Sequence, residues 1–182
     1  MDEHPAMPRD RFPQELIAFY GLTRLPREGG WYRSTWAGPQ RPDGRPEGSA
    51  IVMLLTAEPG VYSALHRLPT DEIWHFYRGD PLTLLLLTER EREHEHERGA
   101  AGDATARTVV LGPDVLGGQH VQFTVPAGTW MAAEVAPGGS WTLFGCTMAP
   151  GFTFADYEHG DAGRLAALFP QEAARIGALS RA

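Results

Sequence analysis

Short apolar runs separated by turns of glycine and proline fill the chain between residues 50 and 148. Runs of this length, closely spaced and bounded by turn residues, predict the strands of a β-sandwich or a closed barrel. The predicted strands span residues 31–36, 50–56, 61–68, 72–77, 82–88, 107–111, 121–125, 131–135 and 141–148. We therefore expect an all-β fold in which the strands enclose one core.

A short helix is predicted at each end of this β-rich region. Residues 13–20 begin at Pro13 and are followed by Gly21, which are residue types that favour the start and the end of a helix. Residues 162–178 have a helical composition that is interrupted at Pro170, because proline lacks the backbone donor that a helix needs.

The length of 182 residues suits one domain. We predict a single domain over residues 1–182, with its core over about 15–170 and a flexible, charged hairpin loop over 89–106. This loop contains His94 and His96. A solvated loop is the simpler interpretation of these two histidines, because no rigid element would hold them in place as metal ligands.

Composition and charge exclude several classes of function. The net charge of −7 and the pI near 5.5 oppose binding to the phosphates of nucleic acids. All 16 basic residues are arginines, so the chain has no lysine for a Schiff base or a phosphate-binding loop. The lone Cys146 permits neither an internal disulfide nor a cysteine-rich zinc site, and a packed small residue is its simpler interpretation.

No segment of the sequence indicates a membrane protein or a secreted protein. The longest strongly apolar stretch, residues 81–88, is far too short to cross a bilayer. The first twelve residues contain no apolar signal core. We expect a cytoplasmic protein without a membrane partner.

One constellation of residues, within 60–79, combines groups that carry chemistry. His66 and Leu68 share one face of a strand because the side-chain period of a strand is two. The following turn brings Glu72 onto the next strand, so that all three residues face one interior. The spacing resembles the first motif of the cupins, in which two histidines one residue apart and a later glutamate bind a metal.

A second cupin motif is resembled by the segment PAGTWM, residues 126–131. In metal-binding cupins a histidine stands at the position of Met131, and another stands at the position of Leu68. Thioether and alkyl groups bind hard divalent metals poorly, and typical sites need at least three nitrogen or oxygen ligands. Strand alternation also turns His75 away from Glu72. We therefore predict a pocket with neither a metal nor another cofactor.

Three segments together resemble the fifth cupin family, whose members are often labelled predicted sugar epimerases. They are HRLPTDEIWHFYRGDPL, VPAGTW and GCTMAPGFTFADYE, and the resemblance extends from about residue 15 to about residue 170. It implies a double-stranded β-helix, the jelly-roll barrel of RmlC-like cupins, and frequent dimers. The family commonly carries glutamine where Met131 stands, which removes a polar contact to a ligand here.

Acid–base catalysis without a metal is the first hypothesis for this pocket, for example epimerisation or isomerisation of a sugar-like or carbonyl compound. His66 is the candidate base, and Glu72 is expected to orient its ring. Tyr62 is the candidate acid, because alternation places it on the face of His66. Deoxysugar epimerases with this fold use a histidine base and a tyrosine acid, and the resemblance implies the same roles for His66 and Tyr62. A polar pair between His66 and Glu72 with no catalytic role is the structural alternative.

Two other hypotheses remain open. The first is a binding or sensing protein without chemistry, and the second is a metal-dependent dioxygenase or lyase. Aromatic rings that could stack on a ligand are the observation behind the first, although ordinary packing also explains them. The candidate ligand-binding residues are Trp74, Phe76, His75, Trp130, Met131 and Leu68. The expected partners are a small-molecule ligand and a second copy of the chain, in a homodimer whose 31–36 strands are exchanged.

Overall fold

Two antiparallel β-sheets form the centre of the computed structural model, which describes residues 12–89 and 104–181. The tip of the predicted charged hairpin, with His94 and His96, lies outside the described residues. Its two flanking strands are described, and they pair along their full length.

The described residues form eleven strands and three α-helices. The strands are β1 (Thr23–Arg24), β2 (Trp31–Ala37), β3 (Ser49–Thr56), β4 (Ser63–Arg67), β5 (Glu72–Gly79), β6 (Leu82–Thr88), β7 (Thr105–Leu111), β8 (Gln122–Val125), β9 (Trp130–Val135), β10 (Trp141–Met148) and β11 (Glu158–His159). The helices are α1 (Phe12–Tyr20), α2 (Ala162–Leu168) and α3 (Ala173–Ala178), with a 3-10 turn at Pro170–Glu172 between the last two. All nine predicted strands are present with ends that differ by at most two residues, and the terminal helices and their break at Pro170 are present as well.

One sheet has the order β1-β2-β3-β10-β5-β8, and the other has the order β11-β4-β9-β6-β7. Neighbouring strands in both orders are mostly distant in sequence, as in a jelly roll built from crossing connections. The main apolar core lies between the sheets and includes Trp74, Phe144, Met131 and Leu84. The predicted all-β fold, a double-stranded β-helix of the cupin type with short terminal helices, is confirmed.

Helices cover the outer faces of both sheets. The C-terminal helices pack Leu165 and Ile176 onto Leu85 and Leu87 of β6. Leu84 and Leu86 of the same strand face the inner core. Burial on both faces explains why β6 is an almost continuous apolar run rather than an alternating one. Helix α1 covers part of the other sheet around Trp141.

Candidate functional site

A cavity of about 190 Å³ lies between β2, β3, β5 and β10 of one sheet and β4 of the other. Most of its wall is apolar. The large apolar residues that line it are Leu25, Ile51, Leu68, Met148, Phe152 and Phe154. The cavity reaches solvent, since Phe154 is 51% exposed. Its titratable groups are Glu28, Tyr32, His66, Glu72 and Cys146.

His66 of β4 is buried and has a fixed ring orientation. Its Nδ1 lies 2.7 Å from the carbonyl oxygen of Ala64. Because a carbonyl oxygen only accepts hydrogen bonds, Nδ1 carries a proton, and in the neutral form of the ring the Nε2 lone pair is free. Nε2 has no hydrogen-bond partner among the described residues. The ring of Tyr157 stacks on His66 with centroids 5.1 Å apart and planes 18° apart, so the imidazole of His66 is held in one orientation on the cavity wall.

Glu72, at the start of β5, is a buried carboxyl that holds its proton at neutral pH. Trp74 Nε1 donates to one of its oxygens at 2.8 Å. Burial raises the pKa of Glu72 to about 8, and the Glu28 carboxylate adds to this rise, while the hydrogen bonds of Trp74 and Cys146 oppose it. Burial also raises the pKa of the Cys146 thiol. The polar wall of the cavity therefore contains a carboxylic acid and a thiol in their neutral forms.

No hydrogen bond joins Glu72 to His66 among the described residues. This corrects the expectation that Glu72 orients the imidazole, because the Ala64 carbonyl holds the ring and Glu72 is bonded to Trp74. The two side chains share the cavity as separate groups. They do not form the polar pair that the structural alternative described.

Glu28 completes the site, and sequence reasoning missed it. It lies in the loop between β1 and β2, where its carboxylate accepts a 2.6 Å hydrogen bond from Ser63 Oγ. Its backbone carbonyl accepts from Ala64 N at 2.8 Å, which ties the loop to β4. Arg27 and Gly29 have positive φ angles of 65° and 98°, and this local backbone turns the loop toward the barrel. No sequence motif marks such a long-range contact.

Tyr62 does not reach the cavity. Its hydroxyl donates to the carbonyl oxygen of Ser180 at 2.8 Å, and its ring packs beside the C-terminal helices. Tyr62 precedes β4, and the register of β4 with β9 shifts between Ser63 and His66. This irregularity breaks the alternation that was expected to place Tyr62 on the face of His66.

The predicted ligand-binding residues on the inward faces divide between the cavity and the core. Leu68 lines the cavity. Met131 lies beside His66 in the strand register but is packed in the core. Trp74 stacks on Phe144 in the core, with centroids 5.0 Å apart, and Phe76 packs at the edge of that core.

His75 and Trp130 lie on the outer faces of the sheets. His75 Nε2 lies 2.8 Å from the Thr147 hydroxyl, and burial lowers the pKa of His75. Trp130 packs under the C-terminal helices, and the guanidinium groups of Arg67 and Arg164 lie near its ring. Neither residue lines the cavity, since each faces away from the barrel interior.

The residues present do not fit a cupin metal site. Leu68 and Met131 stand where the missing histidines would be, and they offer no nitrogen or oxygen donor. Within residues 12–89 and 104–181, no group of three or more histidine, cysteine, aspartate or glutamate side chains is arranged to hold a metal ion.

None of the helices in the described part of the chain has the length and apolar character needed to cross a membrane.

Solved structures support the fold over nearly the whole chain. A crystal structure of a protein from Shewanella oneidensis is 34% identical, with a TM-score of 0.76, and the match covers 92% of this chain and 96% of that chain. A protein from Leishmania major is 30% identical, with a TM-score of 0.76 and coverage of 93% and 98%. A cupin 2 conserved barrel domain protein from Rhodopseudomonas palustris shares the fold at 18% identity, with a TM-score of 0.52 and coverage of 89% and 92%.

No curated protein matches the chain. The family described as Cupin superfamily (DUF985) matches residues 14–160. This match spans β1 to β11 and includes every polar group of the cavity. The chain therefore belongs to the DUF985 family of the cupin superfamily.

Proposed function

We propose that this cupin is a small-molecule isomerase or epimerase that moves a proton next to a carbonyl group without a metal. The observation that carries the proposal is the presence, in one cavity, of an imidazole whose Nε2 has no hydrogen-bond partner among the described residues and of a protonated carboxyl. Enolisation requires a base that removes the proton from carbon and an acid that stabilises the negative charge developing on the carbonyl oxygen.

The two groups have separate roles in the proposed reaction. His66 Nε2 removes a proton from the carbon next to the carbonyl, and the electron pair of that C–H bond forms the enol double bond. The Glu72 carboxyl donates a hydrogen bond to the carbonyl oxygen as negative charge develops there. The proton then returns to carbon and the carbonyl re-forms, so the product is an isomer of the substrate.

The group that returns the proton decides the product. Tyr62 is bonded to Ser180 outside the cavity, so the candidates are His66, which holds the abstracted proton, and the hydroxyl of the lining residue Tyr32. In a substrate with a hydroxyl on the neighbouring carbon, Glu72 passes its proton to the carbonyl oxygen and takes the proton of that hydroxyl. Return of the His66 proton to the former carbonyl carbon then shifts the carbonyl group. Return from the Tyr32 hydroxyl to the opposite face of the original carbon inverts its configuration, and solvent then carries the proton held by His66 back to Tyr32.

Solvent hydrogen exchange tests this proposal without knowledge of the substrate. Small hydroxyketones such as hydroxyacetone and dihydroxyacetone are incubated with the protein in D₂O, and proton NMR follows loss of the signals next to the carbonyl. We expect exchange above the buffer rate that falls about 100-fold in His66→Asn. Asparagine keeps a donor for the Ala64 carbonyl but has no base at the position of Nε2, so equal exchange in this variant would contradict the proposal.

The Glu72 role has its own signature. Exchange by the wild type should fall as the pH rises through about 8, because Glu72 then loses the proton that it donates. Glu72→Gln keeps a donor that does not ionise, so its exchange should be slower than that of the wild type but should lack this decline. A decline of equal size in both proteins would assign it to another group.

A binding protein without chemistry is the second candidate, and the mostly apolar wall of the cavity favours it. Ligand binding without hydrogen exchange would support this candidate. The homodimer and the cytoplasmic location stay predictions, and size-exclusion chromatography with light scattering tests the first of them.

A further inference from the structure

The charges on the cavity wall restrict the ligand that the cavity can accept. Glu28 and Glu72 both line it, and among the described residues no arginine does. The sequence contains no lysine. A phosphate or carboxylate in this space would meet the Glu28 carboxylate and would find neither arginine nor lysine among the described lining residues, whereas anion sites in proteins are commonly built from guanidinium, ammonium or backbone N–H groups.

Three arginines on the segments that frame the cavity are engaged elsewhere. Arg45 pairs with Asp156 at 2.6 Å. Arg67, between two cavity residues, points to the outer face and forms two hydrogen bonds with Glu158. Arg181 donates to backbone carbonyl groups, including that of Glu28. These cations fasten loops around the barrel, and none of them is a lining residue.

The size of the cavity restricts the ligand further. A volume of about 190 Å³ corresponds to roughly six water molecules at about 30 Å³ each. Pockets for drug-sized ligands have volumes of roughly 300–1,000 Å³. A nucleotide attached to a sugar exceeds this volume, so part of it would have to lie outside the cavity in solvent.

We infer that the cavity selects a small, mostly apolar, uncharged carbonyl compound and rejects phosphate esters, nucleotide sugars and carboxylates. The inference rests on the proposed function for its carbonyl group, which takes the hydrogen bond of Glu72. Its charge selectivity rests on the cavity wall alone. If the inference holds, nucleotide sugars, which the label of epimerase suggests as substrates, are not substrates of this protein.

Binding of matched probes tests the charge selectivity, with benzamide and benzoate as one pair and dihydroxyacetone and dihydroxyacetone phosphate as the other. Each pair shares a skeleton and differs in charge, and ligand-observed NMR measures binding without turnover. We expect each neutral probe to bind at least about tenfold more tightly than its anionic partner, because the anion meets the Glu28 carboxylate in a mostly apolar cavity. Tighter binding of either anion to the wild type would overturn the inference.

A single substitution, Ser34→Arg, should reverse the charge selectivity of the cavity. Ser34 lines the cavity but is exposed, so an arginine can enter without displacing core residues. This variant should improve benzoate binding relative to benzamide by about tenfold. Ser34→Gln, of similar reach and no charge, should leave the ratio as in the wild type. Melting curves establish that both variants fold.

An unchanged benzoate-to-benzamide ratio in folded Ser34→Arg would overturn the inference. Failure of this charge selectivity can be distinguished from failure of the proposed catalysis. Hydrogen exchange that fails while the neutral probes still bind preferentially refutes the catalysis and leaves the selectivity intact. Hydrogen exchange in a protein that binds the anionic probes more tightly supports the catalysis and overturns the charge selectivity.

Discussion

The Trp74 indole donates to the Glu72 carboxyl at 2.8 Å from a position two residues further along the same face of β5. Both side chains are buried, and the tryptophan stacks on Phe144. One oxygen of Glu72 is thereby occupied by a donor, which leaves the other to carry the proton. A rigid core residue thus fixes the carboxyl in place while burial keeps it neutral.

This arrangement makes the stability of the protein depend on pH in a defined window. Glu72 is protonated in the folded state up to pH of about 8, whereas the ordinary pKa of a glutamate side chain is 4.5. The folded state therefore binds more protons than the unfolded state between these values, so stability falls as the pH rises through this window. Glu72→Gln removes the effect, and its stability relative to the wild type should increase by up to ~1.4 kcal/mol per pH unit over the window.

Urea unfolding at pH values from 5 to 9 measures this difference. Ser49→Ala is a control, because it changes a neutral cavity residue and should shift stability equally at every pH. A pH-independent difference for Glu72→Gln would mean that Glu72 is not held protonated.

The stacking of Tyr157 on His66 gives a second prediction. The Tyr157 hydroxyl lies 3.2 Å from His159 Nδ1, and the ring alone touches His66. Tyr157→Phe therefore keeps the stack, while Tyr157→Ala removes it at a cost of about 1 kcal/mol beyond the lost burial. We expect hydrogen exchange to fall about tenfold in the alanine variant and to change little in the phenylalanine variant.

Nitrogen NMR of the His66 ring separates positioning from general damage. Tyr157→Phe should retain a protonated Nδ1 and a free Nε2, and Tyr157→Ala should show averaged tautomers or a broadened signal. An unaltered His66 spectrum in the alanine variant would remove Tyr157 from the site.

Local sequence patterns predicted the strands, the terminal helices and the position of His66, because each depends on periodicity or on nearby turn residues. They did not predict β1 and β11, since two-residue strands carry no period. Tyr62 was misplaced because alternation holds only within a regular ladder, and the pairing of β4 is irregular after Ser63. Such irregularities depend on the partner strand and leave no mark in the segment itself.

The contacts that complete the site are long-range. Ser63 is 35 residues from Glu28 in the sequence. Tyr157, which contacts His66, lies near the C-terminal end of the sequence, far from the loop that contains Glu28. Tyr157 belongs to one of the segments that carried the family resemblance, which was the available signal for it. The pKa of Glu72 depends on burial and on Glu28 together, and neither is visible in sequence spacing.

Ser63 is expected to hold Glu28 at the cavity. Its hydroxyl is fully buried and donates at 2.6 Å to the Glu28 carboxylate. Ser63→Ala leaves that carboxylate without this donor and should cost about 1.5–3 kcal/mol in the free energy of unfolding. Thr35→Ala is the matched control, because its hydroxyl makes an exposed bond to the Ala50 carbonyl. If urea unfolding shows the same decrease in the free energy of unfolding for both variants, the Ser63 hydrogen bond stabilises the protein no more than the exposed Thr35 bond.

Restoring the two absent histidines should convert the cavity into a metal site. Leu68 and Met131 stand at the positions that carry histidine in metal-binding cupins, and Met131 is directly opposite His66 in the strand register. The double variant Leu68→His, Met131→His would add two nitrogen ligands to His66 and Glu72, which exceeds the three nitrogen or oxygen ligands that Zn²⁺ or Mn²⁺ sites typically need. Bound metal would also favour ionised Glu72, because the cation stabilises the carboxylate.

Mass spectrometry of purified protein after incubation with Zn²⁺ or Mn²⁺ and removal of free metal measures the effect. We expect close to one metal ion per chain in the double variant and much less in the wild type. The same two substitutions combined with His66→Ala supply the control, which should hold less metal because one ligand is lost. Since both added histidines enter a buried region, circular dichroism must first establish that the variants fold. Stoichiometric, tightly held metal in the wild type would contradict the metal-free interpretation and would require a ligand beyond His66 and Glu72.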